Sequence, residues 1–294
     1  GMEAMSSFIG KESTDYMQLL PKFAIQYEWK KGNNLYTTVS KGYRSGGYNI
    51  QMFSDLATGA LKNSMLDALA ADPKFSRMAG MIQNLKDKLP EVSEATQYKP
   101  EYSWNYEVGS HLTLWEGKLW ADLAAFYMDT RDQQVSQFAK SGLGRITTNA
   151  GKSRSYGVEA ALRASLTNAL SLNASYGYTY ATFTNYVIMQ EDAEGNLEEK
   201  ENYNGKYVPF VPKHTLNIGG EYVFTCNPRC IFDRIVLQAN YSAAGRIYWT
   251  EQNNASQSFY GTLNGRVNFE VGNAMISFWT RNALNKNYAA FYFE

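Results

Sequence analysis

Histidine and cysteine are scarce, two of each in 294 residues, and with so few such ligands a metal site is not expected. Net charge is also missing. The 28 basic and 28 acidic residues cancel, so the chain lacks the basic footprint of a nucleic-acid binder. No run approaches the ~18 consecutive apolar residues of a membrane helix, and any membrane role must therefore be carried by strands. Nucleophile elbow, phosphate loop and metal-binding helix motifs are absent as well. That reading is non-enzymatic, with no cofactor and no metal expected. The amino terminus, GMEAMSSFIGKESTDYMQLL, has no basic start followed by an apolar core, so no signal peptide is read there. Gly1 before Met2 looks like a tag remnant, and residues 1–20 read as that remnant plus a lead-in loop.

What is abundant points to strands. Aromatics reach 15%, with 22 tyrosines, and 23 glycines accompany only seven prolines, a β-rich profile. The stretch from Ser155 to Ala181 shows the pattern most clearly. Tyr156, Val158, Ala160, Leu162, Ala164 and Leu166 alternate with Ser155, Gly157, Glu159, Ala161, Arg163 and Ser165. After Thr167-Asn168-Ala169 the alternation resumes, with Leu170, Leu172, Ala174, Tyr176, Tyr178 and Tyr180 on the apolar side. A period of two places successive side chains on opposite faces of a strand.

Similar runs cover Leu20 to Lys30, Leu35 to Tyr43, Tyr102 to Leu114, Lys118 to Arg131 and Thr215 to Thr225. Ile231 to Ala244, Phe259 to Val271 and Ala274 to Arg281 follow, and Tyr288 to Phe293 reads as a final strand cut short. The total is about eleven. Tight turns at Lys31-Gly32-Asn33, Trp115-Glu116-Gly117, Thr167-Asn168-Ala169, Cys226 to Cys230 and Gly272-Asn273 alternate strictly with long connections. The long ones are Arg44–Glu101, Asp132–Arg154, Phe183–His214 and Ile247–Ser258. In an up-and-down meander this puts every turn at one end and every long loop at the other, as in outer-membrane barrels. The strands are also longer than the ~5 to 6 residues usual in soluble sheets. Aromatics gather toward strand ends, at Tyr43, Trp104, Tyr127, Tyr176 to Tyr180, Tyr248 and Trp249, as membrane-interface belts do. A soluble sandwich would alternate too, with its apolar face packed inward, so alternation alone leaves the two open.

Several stretches resemble the barrel of TonB-dependent outer-membrane receptors. They are YTTVSKGYRSGGYN (Tyr36–Asn49), the segment Tyr98–Val135, NAGKSRSYGVEAAL (Asn149–Leu162), VPFVPKHTLNIGGEYVF (Val208–Phe224) and FWTRNALNKNYAAFYF (Phe278–Phe293). The resemblance implies an all-β, antiparallel transmembrane barrel of about 22 strands with a plugged lumen. This chain supplies about 10 to 12 of them, matching the carboxyl-terminal half, with the plug domain missing. Residues 21–294 then form a partial barrel with a loop insertion over 44–101, in which Met65, Leu66, Leu69, Phe75, Met78, Ile82 and Leu85 fall at helical spacing behind an Asp72-Pro73 start. That insertion is expected to be either a self-packed ornament or a lid over substrate. Gly42, Gly46 and Gly47 are expected to take positive φ where strand becomes loop, and Pro100, Pro209 and Pro212 to sit at strand borders.

The resemblance further implies energy-coupled uptake of a scarce nutrient at the cell outer membrane. Iron-siderophore or haem leads, with cobalamin or glycan behind. The expected partners are outer-membrane lipid, the energising protein TonB through the missing region, and a small-molecule nutrient. A passive porin-type channel and a soluble β-rich binding or adhesion module are the alternatives. Candidate ligand contacts near strand tips are Tyr43, Arg44, Tyr48, Arg145, Tyr203, Tyr207, Tyr248 and Trp249, since cationic and aromatic side chains suit an anionic chelate. The same residues also serve as girdle aromatics and solvated charges. Glu107, Glu159, Arg163, Glu221, Arg266 and Glu270 are expected to face the lumen, where a plug would meet them. Cys226 and Cys230, in CNPRC, either close a small disulfide or stand as free thiols.

Overall fold

A computed structural model describes residues 17–49, 61–62, 64–71, 79–87, 97–138, 145–191, 197–290 and 292. Ten strands form one sheet in the order β1 (Lys22–Lys30), β2 (Asn33–Arg44), β5 (Glu101–Leu114), β6 (Leu119–Phe138), β7 (Arg145–Ser165), β8 (Leu170–Asn185), β11 (His214–Thr225), β12 (Arg234–Ala244), β15 (Tyr260–Val271) and β16 (Ala274–Thr280). Three small hairpins sit in the connections. They pair β3 (Gly47–Tyr48) with β4 (Gln97–Tyr98), β9 (Val187–Glu191) with β10 (Leu197–Asn202), and β13 (Ile247–Tyr248) with β14 (Ser256–Gln257). Every strand of the main sheet neighbours the next main strand in the chain, so the sheet is a meander, with β1 and β16 at the two ends of the order. By compactness the chain divides into two units: residues 1–19, 43–102 and 131–150 in one, and residues 20–42, 103–130 and 151–294 in the other.

The faces follow from register. Across β7, β8, β11, β12 and β15, Leu162 stands opposite Ala174, Ala174 opposite Ile218, Ile218 opposite Tyr241 and Tyr241 opposite Leu263. One residue away, Arg163 opposes Asn173, then Gly219, Asn240 and Asn264. Because the side-chain period is two, one slip would exchange these faces completely. The pairing of β11 with β12 runs without a shift from Thr215–Ala244 to Thr225–Arg234.

The apolar face is not an interior. Val158 is 48% exposed and Ile218 49%, and Tyr106, Leu123, Leu162, Leu172, Tyr222 and Phe224 are exposed in the same way. A second sheet packed on this face would bury such residues. Side-by-side packing within the sheet with an open outer side leaves them as they are, which suits contact with acyl chains. The expectation of an apolar outside and a polar inside stands, and the sandwich does not.

Three sequence expectations change. The connection expected over Asp132–Arg154 is mostly strand: β6 continues to Phe138 and β7 begins at Arg145. Asp132, at φ 52°, breaks the alternation there, which is why period-two reading stopped. The final strand expected from Tyr288 is not formed over Tyr288–Ala290. Tyr288 instead stacks on Tyr260 at 4.2 Å between centroids, and the Ala289 N–H donates to the Gln257 side chain at 2.8 Å. Gly42 and Gly47 are absent from the residues with positive φ, which among glycines are Gly32, Gly117, Gly205 and Gly272. Their role is close approach: a Cβ at Gly42 would meet Ser103 Oγ at 2.5 Å, and one at Gly47 the Tyr98 hydroxyl at 2.6 Å. Of the two states left open for the cysteines, the structure shows the free thiols.

The loop insertion does contain helix, over Ala79–Asp87 and residues 64–71. Ile82 is its buried side chain, whereas Met65, Met81 and Leu85 are exposed. Phe75, Met78 and the Asp72-Pro73 start lie outside the described residues. At Gly157 a Cβ would strike the Tyr178 carbonyl oxygen and the Phe126 ring.

If the apolar face meets lipid, a charge at its middle is costly and one on the other face is not. Ile218→Arg should lose ~2–4 kcal/mol of folding stability in bilayers, while Asn217→Arg should lose far less. Denaturant titration in lipid vesicles measures both, and equal losses would contradict the assignment.

Candidate functional site

The largest fully buried side chain among the described residues, Phe183, lies near the end of β8, where the strand runs into its long connection. Phe183, 1% exposed, meets Tyr186 edge-on at 5.0 Å, and Tyr186 meets Tyr203 at 4.8 Å. Tyr203 is buried, with its hydroxyl accepting a hydrogen bond from Gln252 Nε2 at 3.1 Å. Aromatic pairs at these separations add ~0.5–1.5 kcal/mol each beyond area burial, and here they fix the chain leaving β8.

A second aromatic row runs along its flank. Tyr156 stacks on Tyr180 at 5.1 Å, Tyr180 meets Tyr207 edge-on at 5.4 Å, and Tyr207 lies parallel to Tyr248 at 5.2 Å and 7°. Register places Tyr156 and Tyr180 on the apolar face, so this row continues the aromatic belt into the loops. Lys213 completes it. Its Nζ lies 3.9 Å from the Tyr207 ring centre and donates to the Tyr207 hydroxyl at 2.7 Å, leaving a cation held on an aromatic face. Trp249 is beside Phe210 at 5.6 Å.

Asparagine side chains hold these loops by imitating the backbone. Asn253 Oδ1 accepts from the Tyr207 N–H at 2.7 Å, and its Nδ2 donates to the Tyr207 and Thr250 carbonyls at 2.9 and 3.0 Å. Phe210 takes φ 64°, a costly conformation for a bulky residue. Its N–H donating to Tyr248 O at 2.9 Å helps to hold it there.

The other unit uses the same device. Asn49 Nδ2 donates to Thr147 O at 2.8 Å while the Thr147 N–H donates to Asn49 Oδ1 at 2.7 Å. Asn149 Nδ2 donates to Lys99 O and Asp132 O at 2.9 and 2.7 Å, and its Oδ1 accepts from the Lys99 N–H at 2.7 Å. Gln134, buried, donates to Ser45 O at 2.8 Å and Lys99 O at 3.1 Å. Among the candidate contacts, Tyr43 packs on Tyr102 at 5.8 Å, Tyr48 pairs with Gln97 in the β3–β4 hairpin, and Arg44 is exposed at the end of β2. Arg145 opens β7, and its side chain lies outside the described residues.

The polar wall is a hydrogen-bonded surface. Glu107 accepts from the Tyr36 hydroxyl at 2.8 Å, and Glu221 from Gln238 Nε2 at 2.7 Å. Glu270 accepts from Arg234 Nε and Nη2 at 2.9 and 2.7 Å. Glu159 stands opposite Gly177, and Arg266 opposite Gln238 and Trp279. With Arg163 opposite Asn173, all six charges expected on this side share it by register or by hydrogen bond. An open depression of about 650 Å³ crosses the wall between Asn173, Glu221, Asn240 and Arg266. The histidines find partners on separate strands, His111 with Asp122 at 2.6 Å and His214 with the Tyr176 hydroxyl at 2.9 Å. Among the described residues no group of His, Cys, Asp and Glu is arranged to hold a metal.

The structure thus brings together Tyr203, Tyr207, Tyr248 and Trp249 in one unit, and Tyr43, Arg44 and Tyr48 in the other. Lys213, Asn253 and Gln134 escaped sequence reading, and Tyr180 was read as a belt aromatic alone. Their one visible signal was the density of amides in segments such as NYNGK and EQNNA.

A meander with a greasy, aromatic-belted outer face, a polar inner face and long pinned loops at one end is the wall of an outer-membrane barrel. The family comparison agrees, because residues 5–285 match the model of the TonB dependent receptor-like β-barrel. The chain belongs to that family, whose members are outer-membrane receptors and not enzymes. Among curated relatives, the pesticin receptor of Yersinia pestis is 24% identical over 96% of this chain and 33% of its own length. The metal-pseudopaline receptor CntO of Pseudomonas aeruginosa is 25% identical over 52% of this chain and 20% of its own. Among solved structures, the ferric yersiniabactin uptake receptor FyuA of Yersinia pestis aligns with a TM-score of 0.66 at 20% identity, over 94% of this chain and 34% of that one. The siderophore receptor PiuA of Acinetobacter baumannii aligns at 0.61 and 16%, over 91% and 32%. The chain spans about a third of the relatives it matches along most of its length.

Phe183→Ala should remove ~3–5 kcal/mol from the loop core. Amide exchange at Tyr203 and Tyr207 would then accelerate while the β11–β12 ladder stays protected. Uniform acceleration would mean that this cluster is not a local unit.

Proposed function

We propose that this chain is the carboxyl-terminal barrel portion of a receptor that takes up a metal chelate, with a ferric siderophore as first choice. The observation that carries the reading is the Tyr207–Tyr248 stack with Lys213 lying on it, where the aromatic belt passes into the loops. A flat, anionic, aromatic-bearing chelate can stack on tyrosine rings and neutralise its charge against a lysine. The named relatives support this class, being receptors for pesticin and for metal-pseudopaline, and the structural neighbours include siderophore receptors.

In this reading Tyr207, Tyr248, Trp249 and Lys213 contact the chelate. Tyr43, Arg44, Tyr48 and Arg145 are a separate group of candidate contacts in the other unit. Tyr203, buried, acts as a support. The charges of the polar wall meet the plug of the complete receptor, and energy arrives from TonB through a region outside this chain. Uptake by the complete receptor is active, so the pore stays closed at rest.

Two measurements on the complete receptor test this. Lys213→Ala and Tyr207→Ala should each weaken ferric-chelate binding by about tenfold or more, ~1.4 kcal/mol, as read from intrinsic tryptophan quenching. Unchanged affinity in both would remove the proposed site. Planar-bilayer recording should show no steady conductance, and an open channel would favour a porin.

A further inference from the structure

The short connection between β11 and β12 carries the only two thiols of the chain, Cys226 and Cys230, and nothing in the uptake reading uses them. The Cys226 N–H donates to Asp233 O at 3.0 Å and the Cys230 N–H to Asn227 O at 2.8 Å, so both residues belong to one hydrogen-bonded reverse turn. Four residues apart on this turn, their side chains are close enough to influence each other's ionisation, Cys230 exposed and Cys226 half-buried. The turn is also tied to its neighbour. The Asp233 N–H donates to Glu270 O at 2.8 Å, and the Gly272 N–H donates to Asp233 Oδ2 at 2.7 Å. In an outer-membrane barrel the short turns face the periplasm, where disulfides form and persist.

We propose that Cys226 and Cys230 close an intramolecular disulfide that clasps the β11–β12 turn and, through Asp233, stiffens the β15–β16 turn beside it. The thiol form described above is its reduced state. The clasp depends on location in the outer membrane and not on any ligand, so its failure would leave the chelate reading untouched.

The chemistry needs a disulfide oxidant, either glutathione disulfide or the active-site disulfide of a thiol oxidoreductase. The exposed Cys230 thiolate attacks one oxidant sulfur and expels the other as a thiol, leaving a mixed disulfide. The Cys226 thiolate then attacks the Cys230 sulfur and expels the second thiol. One S–S bond forms and one is lost, two electrons pass to the oxidant, and both thiol protons end on its two sulfurs. Loss of solvent, the neighbouring Cys230 and the charge of Asp233 push the Cys226 thiol above its ordinary value. Ring closure therefore accelerates as pH rises and Cys226 ionises.

The test is made on the 294-residue chain in detergent micelles, equilibrated with glutathione disulfide, alkylated and weighed. The expected product is about 2 Da lighter than the dithiol and takes no alkyl group; after dithiothreitol it takes two. Under the oxidising buffer Cys230→Ser should leave Cys226 as the lone thiol, capped or alkylated once. The Gly272 amide should exchange several-fold more slowly in the oxidised chain. In the double variant Cys226→Ser, Cys230→Ser it should exchange at the reduced rate in either buffer. Two alkyl groups or two glutathione adducts on the oxidised wild type would overturn the disulfide. Equal Gly272 exchange in the oxidised and reduced chains would overturn the clasp.

Discussion

Hydrocarbon offers no partner to a backbone N–H or C=O, and every other property of this chain follows from meeting that demand inside the sheet. A strand can cross lipid only when its ladder is complete on both sides, because each unsatisfied group costs several kcal/mol. The unshifted register of β11 against both β8 and β12 meets the demand. With the backbone satisfied, side chains divide by face, and the face that would be a core in a soluble protein points outward. That inversion explains why Ile218, Val158 and Phe224 remain exposed while Asn217, Ser242 and Asn240 hydrogen-bond to one another at 2.8–2.9 Å on the other side.

The loops face the opposite problem. Beyond the ladder there is no hydrocarbon to favour packing, and the short hairpins there take up only part of the hydrogen bonding, so long segments need another source of order. Here it comes from amide side chains and from a small aromatic core. Asn49, Asn149 and Asn253 each supply a donor and an acceptor to main chain, which a backbone pair would otherwise do. Each such hydrogen bond is worth ~0.5–1.5 kcal/mol net. The loops thereby gain rigid aromatic platforms, as with Tyr207 against Tyr248. In the proposed reading, binding chemistry belongs to the loop end and fastening chemistry to the turn end.

The meander, the two faces and the alternation of turns with long connections were legible because each has a periodic or punctuated signal. Gly32, Glu116 and Gly272 all take positive φ at the turns, as their sequence context suggested. Legibility failed where geometry departs from period two. Asp132 breaks the alternation, and the strand continuing past it to Phe138 could not be seen. It failed again where alternation persisted without a neighbouring strand, because a pattern shows what a segment could pair with and not whether the pairing occurs. Tyr288 stacks on Tyr260 instead. The six charges of the inner wall were readable by counting residues along strands. Lys213 was not, because its reach to Tyr207 depends on how a loop folds back.

The central claim is that residues of odd and even number along one strand live in different solvents. Single spin labels from Leu216 to Val223, in the chain with both cysteines replaced and reconstituted in lipid, test this most directly through their collision rates with oxygen and with a water-soluble nickel chelate. The account predicts that oxygen accessibility peaks at 216, 218, 220 and 222, with nickel accessibility peaking at the positions between. Two profiles in phase, or even-numbered positions shielded from both reagents, would contradict it.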